Sequence, residues 1–223
     1  VGPVCETDAP FDFSAAITGG VWSGTGITDP ANGTFNPATA GGGIHPVTYT
    51  ISQGACTNTD NFDITVDAIV DATITPAGPF CQNEAPTNLN AVSAGGTWSG
   101  TGITDPINGV FDPAAAGPGN HTITYLVTNG TCSDSDTEQI IVDSYPNSNW
   151  TDIGPFCETD FVVNIVPDNP GGIFSGTGIT NPATGTFNPQ IAGDGTHSIS
   201  YTIINGTCTS ITTKPVIVNQ SVD

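Results

Sequence analysis

The chain has 223 residues, and its 21 acidic residues stand against a single basic one, Lys214, so that the formal net charge is −20. A surface of this charge repels phosphate backbones and anionic lipid headgroups, which argues against nucleic acids and membrane surfaces as partners. It would attract divalent cations. The sequence also contains no apolar run of the roughly 18 residues that a membrane-spanning helix needs.

One sequence element occurs three times at intervals of 76 residues. It reads Gly-Gly-x-aromatic-Ser-Gly-Thr-Gly-Ile-Thr, and the cysteines and histidines follow the same interval without insertion or deletion. The copies begin at Gly19, Gly95 and Gly171. Such a period predicts tandem modules, which we place at 1–71, 72–147 and 148–223. Because the chain is five residues short of three full periods, we expect it to be a window of a longer array.

Within each module the pattern predicts a series of short strands. A Gly-Pro-x-Cys segment with acidic residues indicates an edge segment, and a short strand centred on Phe13, or its equivalent in the later copies, follows. The aromatic residue of the Gly-Gly-x-aromatic element then lies on a central strand that faces the core. Asp-Pro or Asn-Pro pairs start turns, and a Phe-Asx-Pro segment marks the next strand.

The clearest strand alternates Val47, Tyr49 and Ile51 with polar residues, and both later copies repeat this period of two. An Asn-Gly pair, or Gln53-Gly54 in the first copy, predicts a tight hairpin before the strand that carries the second cysteine. No segment has a sustained helical period. We therefore predict an all-β fold of three tandem immunoglobulin-like β-sandwich modules in an extended rod. The predicted core includes Trp22, Trp98, Phe174, Tyr49, Tyr125 and Tyr201.

The six cysteines occur as two per module, without a Cys-x-x-Cys pair, which favours disulfides in an oxidising compartment. The first interpretation pairs them within modules, as Cys5–Cys56, Cys81–Cys132 and Cys157–Cys208. Each such bridge would close a loop of about 50 residues and contribute about 4 kcal/mol in the chain-entropy model. The alternative pairs Cys56 with Cys81 and Cys132 with Cys157, and so links adjacent modules.

No module offers a convergent set of acid, base and nucleophile, so we expect no catalytic and no cofactor-binding residues. Each module has one histidine, which we interpret as hydrogen-bonded to a turn. Carboxylates at turns and in the linkers supply the oxygen ligands that calcium takes, although Asp or Asn before Pro is ordinary turn chemistry. The calcium candidates are Asp29, Asp105, Asp67, Asp71 and Asp143.

The Gly-Gly-x-Trp-Ser-Gly-x-Gly-Ile element, the Phe-Asx-Pro segment, the Ala-Gly-x-Gly-x-His-x-Ile-x-Tyr strand and the closing Asn-Gly-x-Cys resemble the immunoglobulin-like repeats of very large proteins of Bacteroidota. Those proteins are secreted or displayed on the surface through the type IX route, and they include gliding-type adhesins. The resemblance covers all three modules. It implies export and a cell-surface or extracellular location, and it brings no catalytic residue.

Repetition in strict register extends a molecule without adding a unique site, so we expect a non-enzymatic structural protein, either an extracellular fibre or the stalk of a surface adhesin. Its partners would be further copies of the same repeat, joined head to tail where a strand of one unit completes the sheet edge of the next. The alternative is an adhesin whose modules bind a glycan or a host surface by avidity.

Overall fold

The computed structural model describes residues 2–222, and the three repeats have the same order of elements. Repeat 1 consists of β1 Val4–Cys5, β2 Phe11–Asp12, β3 Val21–Ser23, β4 Ile27–Asp29, β5 Thr34–Phe35, α1 Pro37–Ala40, β6 Gly43–Gln53 and β7 Cys56–Asp67. Repeat 2 consists of β8 Phe80–Cys81, β9 Thr87–Asn88, β10 Thr97–Ser99, β11 Ile103–Asp105, β12 Val110–Phe111, α2 Pro113–Ala116, β13 Gly119–Asn129 and β14 Cys132–Asp143. Repeat 3 consists of β15 Phe156–Cys157, β16 Val163–Asn164, β17 Ile173–Ser175, β18 Ile179–Asn181, β19 Thr186–Phe187, α3 Pro189–Ala192, β20 Gly195–Asn205 and β21 Cys208–Asn219.

Each repeat forms one four-stranded and one three-stranded sheet, as repeat 1 shows. There the larger sheet has the order β1-β7-β6-β3 and the smaller one has the order β2-β5-β4. β6 and β7 form a long antiparallel hairpin, while β1 runs parallel to the end of β7 and places Cys5 opposite Asp67. The predicted fold class, all-β with tandem immunoglobulin-like modules, is confirmed.

Both sheets of a repeat contribute to one hydrophobic core. In repeat 1 this core contains Phe13, Trp22, Phe35, Val47, Ile64 and Val66. Of the six predicted core aromatics, five are buried: Trp22, Trp98, Tyr125, Phe174 and Tyr201. Tyr49 is half-buried. In every repeat this tyrosine hydroxyl bridges two backbone groups of the loop before the aromatic strand, as Tyr125 does by donating to Ser93 O at 2.7 Å and accepting from Gly96 N at 2.8 Å.

A single helical turn follows the Phe-Asx segment of every repeat, whereas the sequence pattern predicted no helical segment. In repeat 2 the turn α2 begins with Pro113, and Asp112 caps it by accepting a hydrogen bond from Ala114 N at 2.9 Å. An Asx residue before proline is well suited to this start, because its side chain accepts a free helical N–H and proline lacks the N–H that would go unbonded. The helix is four residues long, too short to produce a helical period.

The described chain divides into two compact units that interleave in sequence. The first contains the residues up to Pro76 together with Asn88–Val110 and Thr122–Glu138, and the second contains Ala77–Thr87, Phe111–His121 and the residues from Gln139 onward. Repeat 2 therefore contributes to both units. The module limits predicted from the period, 1–71, 72–147 and 148–223, stay a prediction.

Candidate functional site

Disulfides join each repeat to the next. In the first unit Cys5 is bonded to Cys132, and in the second unit Cys81 is bonded to Cys208, both over a sequence separation of 127 residues. Cys56 and Cys157 are free and exposed. The predicted pairs Cys5–Cys56, Cys81–Cys132 and Cys157–Cys208 are therefore wrong. The alternative pairs, Cys56–Cys81 and Cys132–Cys157, are wrong as well.

Strand geometry explains why the pairing within modules fails. Cys5 lies beside Asp67, at the end of β7, whereas Cys56 lies at the start of the same strand of 12 residues. At about 3.3 Å per residue the two ends of such a strand are roughly 36 Å apart. A disulfide requires Cα atoms within about 7 Å, and the observed pairs lie at 4.9 Å. In both bridges the second cysteine of one repeat is instead bonded to the first cysteine of the preceding one.

A hydrogen-bonded clamp surrounds each disulfide. In the first unit the Asp67 carboxylate accepts hydrogen bonds from Thr131 N and Oγ1, at 2.6 and 2.9 Å, and Asn129 Nδ2 donates to Ala68 O at 2.9 Å. The hairpin tip of repeat 2 thereby holds the last strand of repeat 1. In the second unit the same bonds join Asp143 to Thr207 and Asn205 to Ser144. The calcium candidates Asp67 and Asp143 thus accept hydrogen bonds from a hairpin.

The linker after repeat 1 lies against repeat 2 as an additional strand. Ile74 forms an antiparallel bridge with Ala91, and Ala72 and Ile74 are 0% and 4% exposed. On the other side, the backbone N–H groups of Ala72 and Ile74 donate to the carboxylates of Asp134 and Asp136 at 2.8 and 2.9 Å. Backbone hydrogen bonds of Asp71, Thr73 and Thr75 with residues 90–93 continue this pairing on both sides of the bridge.

The linker before repeat 3 places Trp150 in the core of that repeat. Trp150 is 1% exposed, bridges to Pro167 and packs against Phe174 with ring centroids 6.2 Å apart. The only base in the chain lies next to it: Lys214 Nζ donates to Trp150 O and to Asp152 Oδ1, the latter at 2.7 Å, and lies 5.0 Å from the indole ring centre. The alternation of apolar and polar residues did not identify Trp150 as a core residue. Trp150 lies one repeat length after Ile74, and this equivalence could have identified it.

Replacing Gly206 by alanine tests the clamp. Gly54 holds the same hairpin position in repeat 1, so that Gly54→Ala is the matched control. Both glycines have a positive φ, +57° and +62°, so alanine costs about 1 kcal/mol at either site. A Cβ at Gly206 would also collide with the Asp143 carboxylate, whereas at Gly54 it meets no described atom within 4 Å. Losing hydrogen bonds to a charged group costs a further ~2 kcal/mol.

We therefore expect Gly206→Ala to lower the free energy of unfolding by about 3 kcal/mol and Gly54→Ala by about 1 kcal/mol. Denaturant unfolding of the two variants beside the unsubstituted chain measures the difference. Equal losses would show that the clamp contributes nothing to stability.

The calcium candidates Asp29 and Asp105 form side-chain turns. Asp105 accepts hydrogen bonds from Ile107 N at 3.0 Å, Asn108 N at 3.1 Å and Asn108 Nδ2 at 2.7 Å. These bonds, with that of the Asn108 side chain foremost, hold the pKa of Asp105 below its ordinary value. Asp71 likewise accepts from Thr73 N. Among residues 2–222, no group of three or more His, Cys, Asp or Glu side chains is arranged to hold a metal ion.

The lowered pKa predicts a specific pH response. Since the folded pKa of Asp105 lies below its unfolded value, the turn stabilises the fold above the unfolded pKa, and this contribution is lost as the pH falls through the folded pKa. We expect Asn108→Ala to raise the pKa of Asp105 toward its ordinary value and to leave that of Asp29 unchanged. Carbon-13 NMR of the carboxyl groups during an acid titration measures both, and Asn32→Ala serves as the reciprocal control.

The histidines have a structural role, as interpreted from the sequence. Nε2 of His45, His121 and His197 lies 2.8 Å from the backbone oxygen of Gly41, Gly117 and Gly193, respectively. Each imidazole thereby closes the loop between the short helix and the long strand. No helix among the described residues has the length and apolar character needed to cross a membrane.

No protein-family model and no curated protein matches the chain. Among solved structures, an I-band fragment of titin is similar over 99% of this chain and 95% of its own, at 11% identity and a TM-score of 0.48. Extracellular domains 3-5 of Drosophila OTK align over 100% and 95%, at 12% identity and a TM-score of 0.41. The EC1-3 fragment of mouse protocadherin-24 aligns over 98% and 96%, at 8% identity and a TM-score of 0.35. The fold assignment rests on the paired sheets of each repeat.

Proposed function

We propose that the chain is a non-enzymatic structural segment of a secreted or cell-surface protein, in which tandem repeats form an extracellular fibre or the stalk of an adhesin. The observation that carries this proposal is the junction between repeats. In each unit a disulfide, an aspartate clamp and an inserted linker strand tie one repeat to the next. A junction of this kind stiffens an array and transmits load.

The use of the polar side chains supports a role without catalysis. The imidazoles bond to loop carbonyls, the turn aspartates bond to their own turns, and Asp67 and Asp143 bond to hairpins. Substitution of Trp22 and Trp98 by Phe174 in the third copy fits packing, since the indole donor is not required there. The resemblance of the repeated motifs supports a place among the exported repeat proteins of Bacteroidota.

We propose further copies of the repeat as the partners. The linker strands on repeats 2 and 3 provide the template, because each completes the edge of the repeat that it precedes. The free cysteines Cys56 and Cys157 would extend such an array by the same kind of disulfide. Calcium is not required in this account, since the linker carboxylates already accept hydrogen bonds.

Negative-stain microscopy of the native material, beside the recombinant chain, tests the proposal. Long uniform fibres with a spacing of one module, unchanged by a calcium chelator, are the expected result. Short isolated rods would assign the repeats to an adhesin stalk and make glycan arrays the next measurement. Particles without a regular spacing would contradict a structural array.

Single-molecule pulling tests the mechanical role of the disulfides. With both bridges intact, the shortest covalent path between the chain ends passes through Cys5–Cys132 and Cys81–Cys208 and omits most of the residues. We expect the unfolded contour length of the oxidised chain to be less than half that of the reduced chain. Equal contour lengths would show that the bridges do not form in solution.

A further inference from the structure

An open groove on repeat 1 lies where repeats 2 and 3 receive their linker strands. It encloses about 310 Å³, and Ala15, Trp22 and Asp60 are among the residues that line it. Ala15 lies one period before Ala91 and two periods before Pro167, the two residues that bridge to the linkers. The groove is therefore the counterpart of two occupied strand sites on the same chain.

The polar contacts of the linker have counterparts in the groove. In repeat 2 Asp136 accepts the backbone N–H of Ile74 through Oδ2. Asp60 holds the same position in repeat 1, and its Oδ1 accepts from Asn61 N at 2.9 Å. Within residues 2–222 no donor reaches Asp60 Oδ2, and Asp60 lines the groove. An extended strand laid in the groove would offer it a backbone N–H.

The apolar side of the groove is incompletely covered. Tyr49 and Ile51 line it and are half-buried. Their counterparts in the two later repeats are buried, at 1% to 7% exposure: Tyr125, Val127, Tyr201 and Ile203. An apolar side chain at the position of Ile74 or Trp150 would bury Tyr49 and Ile51 to the same extent.

The strand that borders the groove also carries a free cysteine. Cys56 begins β7, four residues before Asp60, and alternate residues of a strand lie on one face. In repeat 2 the equivalent residues, Cys132 and Asp136, bind the disulfide partner and the linker of the preceding repeat. Cys132 is 3% exposed in that bridge, while Cys56 is exposed. Repeat 1 thus keeps the cysteine and one of the two linker-binding carboxylates, Asp60, while Asn58 stands where repeat 2 has Asp134 and Ala55 where it has Thr131.

We propose that this groove and Cys56 form the acceptor for the linker strand of a further copy of the repeat. The strand that it takes has a small residue followed two positions later by a large apolar one, as in Ala72 and Ile74 or Ser148 and Trp150. Cys56 forms a disulfide with the first cysteine of the incoming repeat, the position that Cys157 holds in this chain. This inference rests on the proposed head-to-tail array and specifies its register.

The disulfide requires a two-electron oxidant, for which a small-molecule disulfide such as oxidised glutathione suffices. The Cys157 thiolate attacks one glutathione sulfur, forms a mixed disulfide and releases one glutathione thiolate. The Cys56 thiolate of a second copy then attacks the Cys157 sulfur and releases the second glutathione. Two protein thiols are oxidised and one glutathione disulfide is reduced to two thiols.

Strand insertion is tested by titrating a synthetic peptide of residues 67–76 into the whole isotope-labelled chain, followed by NMR. We expect saturable shifts at Ala15, the Trp22 indole and Tyr49. A peptide carrying Ile74→Asp should bind about tenfold more weakly or worse, because a charge replaces a buried side chain.

The matched protein variants are Asp60→Ala and Asp63→Ala, since Asp63 is an exposed residue of the same strand and does not line the groove. The first should weaken the peptide about tenfold by removing the acceptor, and the second should have no effect. Absence of shifts at millimolar peptide, or equal binding of both peptides, would overturn the inference.

The register is tested by oxidising the whole chain with glutathione disulfide and mapping cross-linked peptides by mass spectrometry. We expect Cys56–Cys157 links between copies to exceed Cys56–Cys56 and Cys157–Cys157 links severalfold. A statistical mixture, or no link between copies, would overturn the register. If the native material forms fibres but the peptide does not bind, the proposed acceptor is contradicted and the proposed function is still supported.

Discussion

Replacing both Cys81 and Cys208 by alanine is expected to lower the free energy of unfolding by about 5 kcal/mol, because the bridge closes a loop of more than a hundred residues in the unfolded chain. Both cysteines are buried, at 4% and 0% exposure. Replacing both leaves no unpaired thiol in the junction. The loss should fall on the second unit, which contains both residues. Guanidinium unfolding followed by circular dichroism measures it.

The matched control replaces the free cysteines, Cys56 and Cys157. Both are exposed, and neither forms a disulfide with a residue that the structure describes. This double variant should therefore change the free energy of unfolding by no more than about 0.5 kcal/mol. If the two double variants were equally stable, the disulfide between Cys81 and Cys208 would have no role in stability. Reduction of the unsubstituted chain should reproduce the loss.

Replacing Trp150 by alanine is expected to cost about 3–5 kcal/mol, the range for truncating a buried aromatic residue. Trp150 is the largest fully buried side chain of residues 2–222, and its Nε1 lies 3.5 Å from Thr212 O. Its removal opens a cavity against Phe174 and takes away the ring beside Lys214. Thermal unfolding and denaturant unfolding of the variant, beside the unsubstituted chain, measure the loss in the free energy of unfolding.

Two further variants show whether insertion of the linker is the cause. Phe161 is 92% exposed, and Phe161→Ala should change the free energy of unfolding by no more than about 0.5 kcal/mol. Trp150→Ile places in repeat 3 the residue type that repeat 2 has at Ile74, and it should retain part of the stability. A loss as small for Trp150→Ala as for Phe161→Ala would mean that the linker does not pack in solution.

The junction explains how a chain of equivalent repeats can have covalent links between successive repeats. The separation of 127 residues between bonded cysteines equals one period plus the spacing of the two cysteines within a repeat. Each bridge therefore reaches into the following repeat, and no repeat is closed on itself. The same shift applies to the aspartate clamp and to the linker strand, so the three contacts extend the array in one direction.

Much of the fold follows from local sequence. The alternation around Tyr49, the Asn-Gly hairpins and the Asx-Pro turns each depend on neighbouring residues, so the pattern predicted the strands, the turns and the core aromatics. Repetition predicted the equivalence of the three copies. The same local chemistry explains Asp105, whose turn is formed within three residues.

The cysteine partners and the position of Trp150 were decided by the tertiary structure. Both depend on which end of a long strand meets which neighbour: β1 runs parallel to the end of β7, and this places Cys5 a full strand length from Cys56. Equal spacing in a periodic sequence is satisfied by pairing within a repeat or across repeats, so the sequence alone leaves both open. Only the direction and register of the strands, which are set by contacts between distant residues, distinguish them.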